Sequence, residues 1–93
     1  MTTKAFEALR ARFRERATVH VGTLEQALAA GDRHTVTTIA HKLHGSGSSF
    51  GFPKVTELAQ PLEAAADAEA AEDVLHRLAA PLLAELMRIA QAV

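Results

Sequence analysis

An all-α fold, an antiparallel up-down-up-down bundle of four helices, is predicted for this chain from three features. Apolar side chains return every three or four residues over most of the length, as one face of a helix requires. The apolar fraction, 48% of 93 residues, is dominated by Ala and Leu, with four Phe and no Trp or Tyr. Ala and Leu favour helix, whereas strands favour β-branched and aromatic residues. Short breaks holding Gly, Pro or Asp divide the pattern into four segments, and short connections join antiparallel neighbours. The length makes one domain, spanning 1–93.

The first helix is expected from about Thr3, its N-cap, to Ala30. Phe6, Leu9, Phe13, Ala17, Val21, Leu24 and Leu28 form its apolar stripe. Thr18 to Thr23 is poor helix sequence (Thr, Val, His, Val, Gly, Thr), so a bend or a split into two helices is expected near residues 17–23. Gly31 stops the helix and Asp32 caps the second. The second helix has Val36, Ile39, Leu43 and Phe50 in helical phase, with Gly51 and Phe52 expected to close it. Gly45-Ser46-Gly47-Ser48-Ser49 reads as a linker by composition. The apolar phase continues across it, which argues for ordered structure instead. Pro53 suits a first helical turn, and Val55, Leu58, Ala59 and Leu62 follow as the buried positions of a third helix. A fourth is expected from about Glu69 to Ala92, with Val74, Leu75, Leu78, Leu82, Leu86 and Ile89 inward. Pro61 and Pro81 sit inside these two patterns and are expected to kink them.

Composition excludes several functional classes. Cysteine is absent, which removes disulfides, thiolate metal sites and cysteine nucleophiles and fits a reducing compartment. Ten basic and eleven acidic residues give a net charge of −1, without the basic excess expected of a nucleic-acid binder. Arg10, Arg12, Arg14 and Arg16 cluster early, and Glu63, Asp67, Glu69, Glu72 and Asp73 later; both read as solvated helix faces. Met1-Thr2-Thr3-Lys4 opens no signal-peptide pattern, and no apolar run has the roughly 18 residues of a membrane span. A cytoplasmic protein with no membrane association is expected, and the opening Met1 favours a free-standing one.

Of the five histidines, His20, His34, His41, His44 and His76, one is distinguished by helical phase. At about 100° per residue, Ile39, Leu43 and Phe50 fall within roughly 20° of the direction opposite His41. If that stripe faces the core, His41 faces solvent, and His34, Thr37, Thr38, His44, Gly45 and Ser48 share its side. Gly45, at i+4, leaves a clearing beside the imidazole that a partner surface can enter. An ordinary neutral imidazole, with a pKa of about 6.5, is a usable nucleophile at neutral pH. His44, at i+3, could donate to a phosphate held on His41 when protonated. An exposed histidine is most often only a surface residue. Three glycines within seven residues of an otherwise well-patterned helix nevertheless point to a use beyond packing.

Ala40-His41-Lys42-Leu43-His44-Gly45-Ser46 resembles the A-H-x-L-K-G-S signature of histidine-containing phosphotransfer (HPt) domains. Gly51 lies ten residues past the histidine, as in that family. Val55, Leu58, Ala59, Leu62 and Glu63 are similar to its L-x-x-L-(C/A)-x-x-L-E tail, and Ala27-Leu28 with Gly31-Asp32 to the A-L-x-x-G-D that precedes it. The resemblance covers about Phe13 to Glu63. It implies a four-helix bundle whose His41 accepts a phosphoryl group from a receiver-domain aspartate and passes it to another. It implies no kinase activity, no bound cofactor and, for the family, a monomer; Mg²⁺ belongs to the partner receiver. The partners implied are receiver domains of a hybrid sensor kinase or a response regulator. By analogy attack comes from Nε2, leaving Nδ1 to carry the proton and seek an acceptor, for which Glu63 is a candidate. The docking face implied comprises Thr37, Thr38, Gly45 and Ser48 beside His44, with Phe52 at its edge and charge from Arg33 and Lys54. The chain departs from the family in having His44 where lysine is usual, so phosphate stabilisation is expected to be weaker or pH-dependent. Two other readings compete: a metal-binding bundle using His34, His41, His44 and Glu63, and an adaptor bundle without chemistry. Metal sites in bundles point inward, whereas these histidines are predicted to point out, so no metal is expected.

Overall fold

A computed structural model describes residues 3–92; the start at Met1 and Thr2 lies outside them. It contains α1 (Lys4–Ala30), α2 (Arg33–Ser46), a 3-10 turn (Ser48–Phe50), α3 (Pro53–Asp67) and α4 (Glu72–Gln91). α1 packs on α2 and α4, α2 on α3, and α3 on α4, with no diagonal packing among the described residues. This is the four-helix bundle. It is a rod of 43 × 20 × 18 Å, whose length matches the roughly 40 Å of a 27-residue helix.

Each helix contributes to one core. Leu24 from α1, Val36 and Leu43 from α2, Val55 and Leu62 from α3, and Leu82, Leu86 and Ile89 from α4 are its largest fully buried side chains. Burying one such side chain is worth about 1.5–3 kcal/mol. Phe13 stacks on Phe52 with ring centroids 5.0 Å apart and lies 5.8 Å from Phe50. Leu9, expected on the inner stripe, is instead 38% exposed.

The split of the first helix that was one expectation near residues 17–23 does not occur: α1 is a single helix through the whole segment. Ala17, His20, Val21 and Leu24 are all buried there, and tertiary packing outweighs the weak local propensity. At the N-termini the expected caps are present: Thr3 Oγ1 accepts from the Phe6 N–H, and Asp32 accepts from the Thr35 N–H. α3 and α4 run through Pro61 and Pro81 as single helices; both prolines lie on exposed positions. The fourth helix begins at Glu72 rather than Glu69, because Glu69 takes the left-handed conformation (φ +57°) in the connecting turn.

The end of α2 is the other departure. The helix closes at Ser46, and a 3-10 turn follows before Gly51, at φ +85°, reverses the chain. Gly47 sits where a Cβ would lie 2.7 Å from Thr56 Oγ1 and 2.8 Å from its backbone nitrogen. Only a glycine lets the end of α2 approach α3 this closely. Two hydrogen bonds secure the approach. The Ser48 N–H donates to Thr56 Oγ1 (2.9 Å), and the Thr56 hydroxyl donates to the His44 carbonyl (3.0 Å).

Candidate functional site

The rotation of α2 follows from burying Val36, Ile39, Ala40 and Leu43. It turns His41 outward, with its side chain 77% exposed. Gly45 is exposed one turn further on, and a Cβ built on it meets nothing within 4 Å. Internal packing therefore does not demand a glycine at this position. The space beside the imidazole is open to another molecule.

The register of α3 against α2 follows from the Thr56 contact. Glu63 is seven residues beyond Thr56, about two turns along on nearly the same face. This aims its carboxylate at α2, where it meets two histidines. Oε2 hydrogen-bonds Nδ1 of His41, and Oε1 hydrogen-bonds Nδ1 of His44 at 2.8 Å. The hydrogen bond from His44, followed by the bond and charge of His41, holds the Glu63 carboxyl below the usual carboxylate range, against an opposing effect of burial. A carboxylate only accepts, so each Nδ1 bound to it carries hydrogen. For a neutral imidazole this leaves Nε2 of His41 with the lone pair. That nitrogen belongs to an exposed ring beside the Gly45 clearing.

The remaining expected residues are distributed as follows. Thr38 and Ser48 are exposed, Ser48 in the 3-10 turn beyond the end of α2, and Thr37 is half-buried. The Thr37 and Thr38 hydroxyls donate back to the carbonyls of Arg33 and His34. Phe52, expected at the edge of a docking face, is buried at 9% exposure against Phe13. The reversal at Gly51 sends its ring inward, and the Arg10 guanidinium covers it at 4.8 Å. Arg33 donates to the Ala70 carbonyl (2.6 Å), tying α2 to the turn before α4 rather than offering free charge to a partner. Lys54 is exposed. His34, His41, His44 and Glu63 do not form a metal cage, and no group of three His, Cys, Asp or Glu side chains among the described residues is arranged to hold an ion. No described helix is long and apolar enough to cross a membrane.

One surface was missed by sequence reasoning. A groove between α1 and α2 is lined by Leu9, Arg12, Arg16, His20, Lys42 and Phe50, and continues past Val19 and Thr38. Lys42 and Thr38 bring it alongside His41. No carboxylate lines it. The early arginine cluster was the available signal, but it reads as a solvated face until α2 is placed beside it. At the groove, burial first and then the charges of Lys42 and Arg16 depress the His20 pKa.

Among known proteins, the family model described as the Hpt domain matches residues 8–92 of the chain. No curated protein and no solved structure gives a significant match.

Proposed function

The chain belongs to the Hpt domain family, whose role is histidine phosphotransfer in two-component phosphorelays, and from that premise we propose that His41 is the residue that carries the phosphoryl group. The observation that supports this most directly is the pairing of an exposed imidazole with a carboxylate on its Nδ1. Nε2 attacks the phosphorus of a receiver's aspartyl phosphate. The N–P bond forms, the P–O bond to the aspartate breaks, and that carboxylate departs with its electron pair. Nδ1 keeps its proton, and the positive charge that develops on the ring is steadied by Glu63. The reverse sequence delivers the group to a second receiver. Phosphoryl transfer depends chiefly on positioning and electrostatic stabilisation, and a helix packed on a rigid core holds the nucleophile in place.

Family members are phosphocarriers rather than kinases, and we read this chain the same way. The partner supplies the acceptor aspartate and any Mg²⁺. It docks over Thr37, Thr38, Gly45 and Ser48, and the cationic α1–α2 groove suits acidic groups around the partner's aspartate. A cytoplasmic monomer is the form proposed. A relay assay tests the reading: a phosphorylated receiver should load the chain, and the loaded chain, isolated and mixed with a second receiver, should give the label up. A chain that loads but never transfers onward would contradict the intermediate role.

A further inference from the structure

We propose that His44 is a positioning residue that acts through Glu63 on the tautomer of His41, rather than a group that contacts the phosphoryl. The inference rests on His41 being the phosphoryl carrier. Its starting point is that the His41 ring is 77% exposed, so little packing holds its orientation. Its described hydrogen bond runs from Nδ1 to Oε2 of Glu63. The nucleophile is therefore only as well aimed as that carboxylate.

Glu63 in turn has a long side chain with free torsions, and its own orientation needs an anchor. His44 provides it, with Nδ1 on the second oxygen at 2.8 Å. The Glu63 side chain is 16% exposed and that of His44 37%, so the anchoring bond is shielded more than the one it serves. The backbone of His44 is held from the same helix, its carbonyl accepting from Thr56. Thr56 and Glu63 thus grip His44 at its main chain and its side chain. With Oε1 occupied, the carboxylate plane is fixed and Oε2 faces His41. A lysine at this position would present one mobile charge; the imidazole presents a directed N–H on a short stem. The nitrogen used is Nδ1, the inner one, which is the one suited to reach Glu63.

The two roles use different nitrogens, and substitution separates them. An asparagine amide nitrogen lies where Nδ1 does, whereas a glutamine amide nitrogen lies nearer Nε2. Long-range ¹H–¹⁵N correlation of the histidine rings in the uniformly labelled full chain reads the His41 tautomer without any partner. His41 should be chiefly Nδ1–H in the wild type. His44→Ala should raise its Nε2–H fraction severalfold, His44→Asn should restore the wild-type tautomer, and His44→Gln should not. Phosphoryl acceptance should fall and recover in the same order, with the lifetime of the phosphohistidine unchanged throughout. An unaltered His41 tautomer in His44→Ala would overturn the proposal, as would rescue by glutamine but not asparagine. Should the wild type accept no phosphoryl group, the functional reading fails, while the tautomer measurement still judges the role of His44.

Discussion

Nδ1 of His41 on α2 is hydrogen-bonded to Oε2 of Glu63 on α3, a residue 22 positions further along the chain. The bond joins two helices whose relative rotation must be correct for it to form. It leaves the outward nitrogen of the imidazole as the basic one. A surface histidine without such a partner would divide its proton between two nitrogens and point in several directions.

Replacing the carboxylate should therefore damage transfer without damaging the fold. Glu63→Gln keeps the length of the side chain but lacks the negative charge that steadies the imidazolium. Phosphoryl acceptance should slow by about tenfold, equivalent to about 1.4 kcal/mol in the barrier, while the chain loses only the modest stability of the Glu63 carboxylate and still unfolds cooperatively. Rapid-quench assays and a melting curve make the comparison. A wild-type rate in Glu63→Gln would remove Glu63 from the site.

Gly45 should trade stability against function. Its Cβ position is empty, so Gly45→Ala fits and should stabilise the helix by up to about 1 kcal/mol. Gly45→Leu should also fold but fill the clearing beside His41 and slow transfer from a receiver severalfold. Equal rates for wild type and Gly45→Leu would show that no partner surface enters there.

Gly47 should behave in the opposite way. A Cβ there meets Thr56 Oγ1 at 2.7 Å, the Thr56 backbone nitrogen at 2.8 Å and the Phe52 carbonyl oxygen at 3.0 Å, the last two being backbone atoms that cannot swing aside. Gly47→Ala should cost about 1–3 kcal/mol, as overpacking does, measured by urea unfolding. It should also disturb the His44–Glu63 hydrogen bond, because the α2–α3 approach sets that register.

His20 gives the fold a pH dependence of predictable sign. Its pKa in the folded chain lies below the ordinary 6.5, first through burial and then through Lys42 and Arg16. Between the folded value and 6.5 the unfolded chain binds more protons. The stability due to neutral His20 is thus complete above about 6.5 and declines as pH falls from there towards the folded value. His20→Gln should flatten that part of the decline. Glu63 acts lower, since its depressed carboxyl gives stability that is present above about 4.5 and lost as pH falls further. Denaturant midpoints measured at intervals from pH 7.5 to 2.5 on the wild type, His20→Gln and Glu63→Gln separate the two windows, the last variant setting Glu63 apart from Asp32 and Glu85, whose carboxyls are also depressed.

The bundle was legible because its signal is local and repeated. Val36, Ile39 and Leu43 recur at helical spacing, and the same stripe that buries them turns His41 outward. The continuity of α1 was not legible at Thr18 to Thr23, where weak propensity is overridden by partners far along the chain. Phe52 was misjudged because its direction depends on a single reversal at Gly51. Glu63 could be named as an acceptor for His41 only through the family resemblance, and its second bond to His44 was not foreseen. That bond spans 19 residues and depends on how closely α2 approaches α3, which Gly47 and Thr56 determine. Spacing within one helix carries no information about the angle between two.

The most direct measurement concerns His41 itself. A receiver domain carrying labelled phosphate should be mixed with the wild-type chain and with His41→Gln. The wild type should acquire label that is lost in acid, as a phosphohistidine requires, and His41→Gln should acquire none. Equal labelling of the two proteins would contradict the assignment.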